Sequence, residues 1–208
     1  MTSENARARA TEFARFKTVG GRPPPREQPA RVAATPPLGG EPVRARDGRE
    51  LLLRPIDPSD VDILRRGFNE LTPEEVRLRF LHPMNELTEE AARRLCNLDP
   101  SREVAFVLLD RSDPAKPTIR AVVRAYIDAA TLAAEFAIVV HHAFAGQGLG
   151  TLLMRRLIDA LRERGVVEVW GHVLTDNGGM LELAQNLGFE RHSDFHDPGI
   201  VRVTLSLQ

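Results

Sequence analysis

Between Ala134 and Thr151 an isolated acid precedes a glycine-rich turn. An apolar run, Ala134-Glu135-Phe136-Ala137-Ile138-Val139-Val140, carries one acid, Glu135. It leads through His141-His142-Ala143-Phe144 into Ala145-Gly146-Gln147-Gly148-Leu149-Gly150-Thr151. The run has the composition of a buried strand, and Leu149, Leu152, Leu153, Leu157, Ile158 and Leu161 then recur at helical spacing. A glycine-rich turn between strand and helix lets the backbone approach a ligand without side-chain obstruction. The first amides of the helix lack internal partners, and its dipole adds positive potential. Together they form an anion site suited to a diphosphate.

Other nucleotide signatures are not met. Gly146, Gly148 and Gly150 alternate, which is not G-x-G-x-x-G, and they lie far beyond the first strand. No lysine follows them, as the phosphate loop of nucleoside triphosphatases requires. A serine nucleophile elbow, Gly-x-Ser-x-Gly, is missing. Downstream, Asn177 in Thr175-Asp176-Asn177-Gly178-Gly179 could hold a ligand through its amide or simply form a turn. His141 and His142 are adjacent and point in different directions, which disfavours a shared metal. His82, His172, His192 and His196 lack zinc-ligand spacing. His192-Ser193-Asp194-Phe195-His196 reads as a polar loop before the last strand, with lining of a substrate pocket as the other reading.

These residues must be positioned by a folded domain, and periodicity outlines one. Leu51 to Pro55 reads as a first strand ended by proline. Helix starts follow at Asp57-Pro58-Ser59-Asp60, Thr72-Pro73-Glu74-Glu75 and Thr88-Glu89-Glu90, the last helix running to about Leu98. Strands are expected over Val104 to Asp110, Ile119 to Ile127 and Ala134 to Val140, then a helix from Gly148 to Arg164. A strand from Val166 to Leu174, a short helix from Gly179 to Leu187 and a strand from Ile200 to Leu207 complete the chain. This order predicts a mixed sheet with helices on both faces.

The 208 residues suffice for one full domain plus a tail, and the apolar fraction of 42% is ordinary for a soluble protein. Residues 1–48 differ, with Pro23-Pro24-Pro25, Pro36-Pro37 and Gly39-Gly40 crowded among arginines. They read as a flexible arm, and residues 49–208 as the folded domain. The formal net charge of -1 gives no electrostatic reason to expect nucleic acid or an anionic membrane as partner. No apolar run reaches the roughly 18 residues of a membrane span, and no secretory signal opens the chain. The single cysteine, Cys96, cannot form an internal disulfide. It reads as a buried small hydrophobe, and a cytoplasmic location is the expectation.

The glycine turn resembles the acyl-CoA loop of the GNAT acetyltransferases, Q/R-x-x-G-x-G/A. Gly148 and Gly150 match its small positions, and Ala145 stands where Gln or Arg is usual. Asn177, followed by Met180 to Asn186 and Leu187-Gly188-Phe189, matches the family's Asn after the fifth strand and its short helix ending in Gly-Phe. The resemblance covers about residue 50 to the end. Leu53-Arg54-Pro55-Ile56, Arg77-Leu78-Arg79-Phe80-Leu81 and the 134–140 run look most like the acyltransferase domain of bacterial Pat-type protein lysine acetyltransferases.

That resemblance implies an α/β GNAT fold with a mostly antiparallel sheet of six to seven strands. It implies acetyl-CoA as co-substrate, held by Ala145 to Thr151 and Asn177. The backbone of Ile138, Val139 and Val140 would pair with the pantetheine arm and the thioester oxygen. Glu135 aligns with the general base of the Pat-like domains, and the acceptor would be a primary amine or protein lysine. Many relatives protonate the leaving thiolate with a tyrosine four residues before the final glycine. That position is Ala184, and the only tyrosine is Tyr126, so no tyrosine acid is expected. A catalytically weak or inactive CoA-binding regulatory module remains the other reading. The sequence leaves a homodimer open.

Overall fold

The computed structural model describes residues 40–193 and 197–208. Its strands are β1 (Glu41–Arg44), β2 (Glu50–Pro55), β3 (Glu103–Asp110), β4 (Thr118–Asp128), β5 (Ala133–Val140), β6 (Glu168–Leu174), β7 (Glu190–Ser193) and β8 (Ile200–Ser206). Its helices are α1 (Val61–Asn69), α2 (Pro73–Phe80), α3 (Glu89–Cys96), α4 (Leu149–Arg162) and α5 (Gly178–Asn186). The strands form one sheet in the order β1-β2-β3-β4-β5-β6-β8-β7. Every neighbouring pair is antiparallel except β5 and β6, which run parallel.

The sheet has eight strands, not the six to seven expected. Both additions are short edge strands. Glu41–Arg44, assigned to the arm by composition, pairs with β2, and Val43 is buried. Proline is tolerated at a sheet edge, so Pro42 does not prevent pairing. Glu190–Ser193, expected as loop, pairs with β8 although all four residues are exposed. The arm's remaining residues up to 39, and Asp194 to His196, lie outside the described residues.

Two cores flank the sheet. Leu149, Leu153, Met154, Leu157, Ile158 and Leu161 bury one stripe of α4 against Val104, Leu108, Val123, Ala134 and Phe136. On the opposite face, α1 to α3 cover Ala105, Val107, Leu109 and Ile119 with Ile63, Leu64, Phe68, Val76 and Ala92. Alternation along β3 sends successive side chains to the two cores in turn. Local signals start the helices where the sequence places them. The Thr72 hydroxyl accepts from Glu75 N while the Glu75 carboxylate accepts from Thr72 N, and the Thr88 hydroxyl accepts from Ala91 N.

One buried ion pair pins the entry of α1. Arg54 donates to both oxygens of Asp60 at 2.6 and 2.7 Å, and Asp60 also accepts from Asp57 N. Cys96 is buried in the α1–α3 core, and burial pushes its thiol up to about 12. At neutral pH it is a protonated hydrophobe, not a nucleophile. Among the described residues, no helix is long and apolar enough to cross a membrane.

Candidate active site

The parallel contact between β5 and β6 is brief. It joins Ala133–Glu135 to Glu168–Trp170 and goes no further, although both strands continue. The strands part beyond Glu135, and Gly171 shows how. A Cβ on Gly171 would lie 2.6 Å from the Phe136 ring, so Phe136 occupies the space where the strands separate. Phe136 packs edge-on against Phe189, ring centroids 5.4 Å apart.

The register decides which amides face this gap. His141 N–H donates to the Arg120 carbonyl at 2.9 Å. Antiparallel alternation therefore turns the backbone groups of Glu135, Ala137 and Val139 toward β4, and those of Phe136, Ile138 and Val140 toward the β6 side. Of the three residues singled out by resemblance, Ile138 and Val140 direct donors into the gap, whereas Val139 belongs to the β4 ladder.

Past Val140 the chain makes a tight turn over His142–Phe144, with His141 Nδ1 accepting from Ala143 N. Phe144 is buried and anchors the turn. Ala145 is extended and exposed, and Gly146 and Gly148 adopt left-handed φ values of 70° and 81°. Those angles favour glycine, because a Cβ there crowds the following carbonyl. Gly148 is the N-cap of α4 with no side-chain cap, and the first turn contains no acid. Among the described residues, the amides of Leu149, Gly150 and Thr151 have no acceptor, which leaves them to an anion. The Leu149 side chain itself is buried, and Thr151 is half-buried.

Sequence reading missed the residues that surround this turn. The β1–β2 turn reaches it from about 100 positions away: Asp47 N donates to Gln147 Oε1 at 3.0 Å. Arg49 donates to the Ala143 carbonyl at 2.5 Å and lies over the Phe144 ring at 3.6 Å. Arg46 Nη1 contacts the Gly146 carbonyl at 3.5 Å. From the opposite sheet face, Glu75 of α2 accepts from His142 N at 2.5 Å and lies 3.1 Å from its Nδ1. Arg77, on the same helix, donates to Asp176 at 2.8 Å. Thus α2 is tied both to the end of β5 and to the loop after β6. No local pattern signals such contacts, which arise only in the folded chain.

Glu135 is half-buried and points to the α1–α3 face, because Ala134 and Phe136 belong to the α4 core. Tyr126 stands opposite it on β4. Burial lowers the pKa of Arg79 in α2, as does the neighbouring Arg124, while the charge of Glu135 opposes the shift. A guanidinium nevertheless stays protonated at neutral pH. Glu135 thus faces a cationic neighbour.

Asn177 is the N-cap of α5, its Oδ1 accepting from Met180 N at 3.1 Å. The turn-forming reading accounts for its oxygen and leaves its amide nitrogen to donate. Ala184 is fully buried. Glu75, His141 and His142 bring potential ligand atoms within 4.8 Å of one another. The two rings stack at 4.1 Å, however, and His141 Nδ1 is engaged by Ala143 N. The two rings thus lie side by side, not in the different directions that their adjacency suggested. Burial, followed by the adjacent His142, lowers the pKa of His141 and favours its neutral form.

Comparisons with known proteins agree with this arrangement. The model of the acetyltransferase (GNAT) family matches residues 67–189. An acetyltransferase of Pseudomonas aeruginosa is 29% identical over 151 residues, which cover 73% of this chain and 81% of that protein. The acetyltransferase Pat of Mycolicibacterium smegmatis is 30% identical over 148 residues, 71% of this chain but 43% of that longer protein. Among solved structures, the GNAT domain of S. lividans PAT is similar with a TM-score of 0.72 and 25% identity, over 80% of this chain and 96% of that one.

Proposed function

This chain belongs to the acetyltransferase (GNAT) family, whose members are acyl-CoA-dependent transferases, and from that premise we propose that it acetylates a primary amine, in particular a protein lysine. The single observation that carries this reading is the parting of β5 from β6 beside an uncapped, glycine-led helix. It supports a site in which a diphosphate meets the α4 amides and an extended pantetheine chain runs along the free edge of β5.

Acetyl-CoA supplies the activated thioester. Glu135 takes a proton from the acceptor ammonium, directly or through water, so that the amine nitrogen can bond to the carbonyl carbon. Donors at Ile138 and Val140 stabilise the negative charge that develops on the carbonyl oxygen. The C–S bond then breaks, the bonded nitrogen gives up its second proton to water, and the thiolate takes one proton from water. The preference for a protein lysine rests on the likeness to Pat and to the PAT domain.

A binding module without catalysis is the second reading, kept open by Ala145 and Ala184, which depart from the family pattern. The deciding experiment measures thiol release from acetyl-CoA in the presence of lysine peptides and small amines. Acceptor-dependent release supports the transferase. Saturable acetyl-CoA binding with no release for any acceptor favours the module.

A further inference from the structure

The departure at Ala145 leaves the glycine turn without the side chain that relatives place there, yet the structure sets a different cation beside it. The Arg46 Nε lies 3.5 Å, and its Nη2 3.8 Å, from where a Cβ on Gly148 would stand. Gly148 is the N-cap of α4, so the guanidinium lies beside the start of that helix. Among the described residues its one hydrogen bond is the long 3.5 Å contact to the Gly146 carbonyl. Arg46 is exposed, and among the described residues it forms no ion pair. Asp47, the acid of the same turn, is held by Arg49 at 2.5 Å.

The turn is also fixed in place. Gln147 accepts from Asp47 N, and Arg49 binds the Ala143 carbonyl and stacks on Phe144. β1 and β2 pair from Glu41↔Leu53 to Arg44↔Glu50 and hold both ends of the turn. A guanidinium on a clamped turn, beside unpaired helix amides, has the geometry for charge-assisted bonds to phosphate oxygens.

Resting on the proposed cofactor site, we infer that Arg46 is its phosphate-binding side chain, delivered from the β1–β2 turn in place of the one that Ala145 lacks. The β1–β2 hairpin is then part of the acetyl-CoA site as well as the sheet edge. Ala145 is exposed and extended, so an arginine restored there would point at the same anion without disturbing the core.

The test compares calorimetric binding of acetyl-CoA and of S-acetyl pantetheine, which lacks the diphosphate, to the full chain. Arg46→Gln should weaken acetyl-CoA about tenfold, as loss of one charge-assisted contact implies, and leave S-acetyl pantetheine unchanged. The dependence of acetyl-CoA affinity on salt should flatten in the variant. Adding Ala145→Arg to Arg46→Gln should restore most of the affinity. Equal acetyl-CoA affinity in wild type and Arg46→Gln, or equal weakening of both ligands, overturns the role of Arg46 alone. Failure of the wild type to bind acetyl-CoA overturns the cofactor site, and this inference with it.

Discussion

Glu135 and Tyr126 stand directly opposite each other on β5 and β4, on the sheet face that α1 to α3 cover. Directly opposed residues share a face and lie side by side. The Tyr126 hydroxyl accepts from Arg102 Nη1 at 3.2 Å, and Arg79 attracts the Glu135 charge. Glu135 therefore stands beside a cation at the point where β5 leaves β6.

Replacing Glu135 by Gln removes the proposed base and keeps the shape. Turnover should fall about 100-fold to 1,000-fold, within the range for loss of general base catalysis. Acetyl-CoA affinity should stay within about twofold of wild type, because the diphosphate and pantetheine contacts are untouched. Steady-state kinetics across pH read the outcome. Near wild-type turnover at every pH would remove Glu135 from the mechanism.

Gly171 makes room for the Phe136 ring by having no side chain. In Gly171→Ala the new methyl meets the Phe136 ring at 2.6 Å, and the ring is buried against Phe189. Overpacking of this kind costs about 1–3 kcal/mol. Urea unfolding should show that loss, and turnover should fall because Phe136 must move. A variant as stable and active as wild type would contradict the packing described here.

Glu75 links α2 to the end of β5, and its contribution depends on pH. Burial pushes its carboxyl up, but hydrogen bonds from Thr72 and His142 outweigh burial and hold it below its ordinary 4.5. A depressed folded-state pKa stabilises fully above the unfolded value, and that stability is lost as pH falls through the folded value. Glu75→Gln should therefore cost roughly 1 kcal/mol at pH 7. Its melting temperature should converge with that of wild type as pH falls below 4.5. A gap that widens in acid would reverse the sign of this account.

The Arg54–Asp60 pair is 2% and 0% exposed. Asp60→Asn leaves a guanidinium buried without its counter-charge, at a cost of about 3–5 kcal/mol. Equilibrium denaturation measures it, and a loss below about 1 kcal/mol would mean that water reaches Arg54 in the folded state.

How much of this was legible in the sequence differs by element. The stripe of α4 and the apolar runs of β3 and β5 announced themselves, because burial imposes a period on residue type. The glycine-rich turn was readable from Gly146, Gly148 and Gly150, but the left-handed backbone at Gly146 and Gly148 appears only in the folded chain. β1 and β7 were not. Glu41–Arg44 buries one side chain, Val43, and Glu190–Ser193 buries none, so pairing alone defines them and pairing leaves no trace in composition. Asn177 was legible only as a choice between roles, and its cap to Met180 accounts for half of its polar groups. Arg46 was invisible as a site residue, because it meets Gly146 across 100 positions of chain.

The most direct measurement is isothermal titration of acetyl-CoA into the full wild-type chain and into Gly148→Ala. Gly148 holds φ at 81° at the head of α4, so a side chain there displaces the amides that would grip the diphosphate. One saturable site per chain in wild type, weakened at least about tenfold in Gly148→Ala, is the predicted result. Absence of saturable heat in wild type, or an unchanged affinity in the variant, would contradict the account.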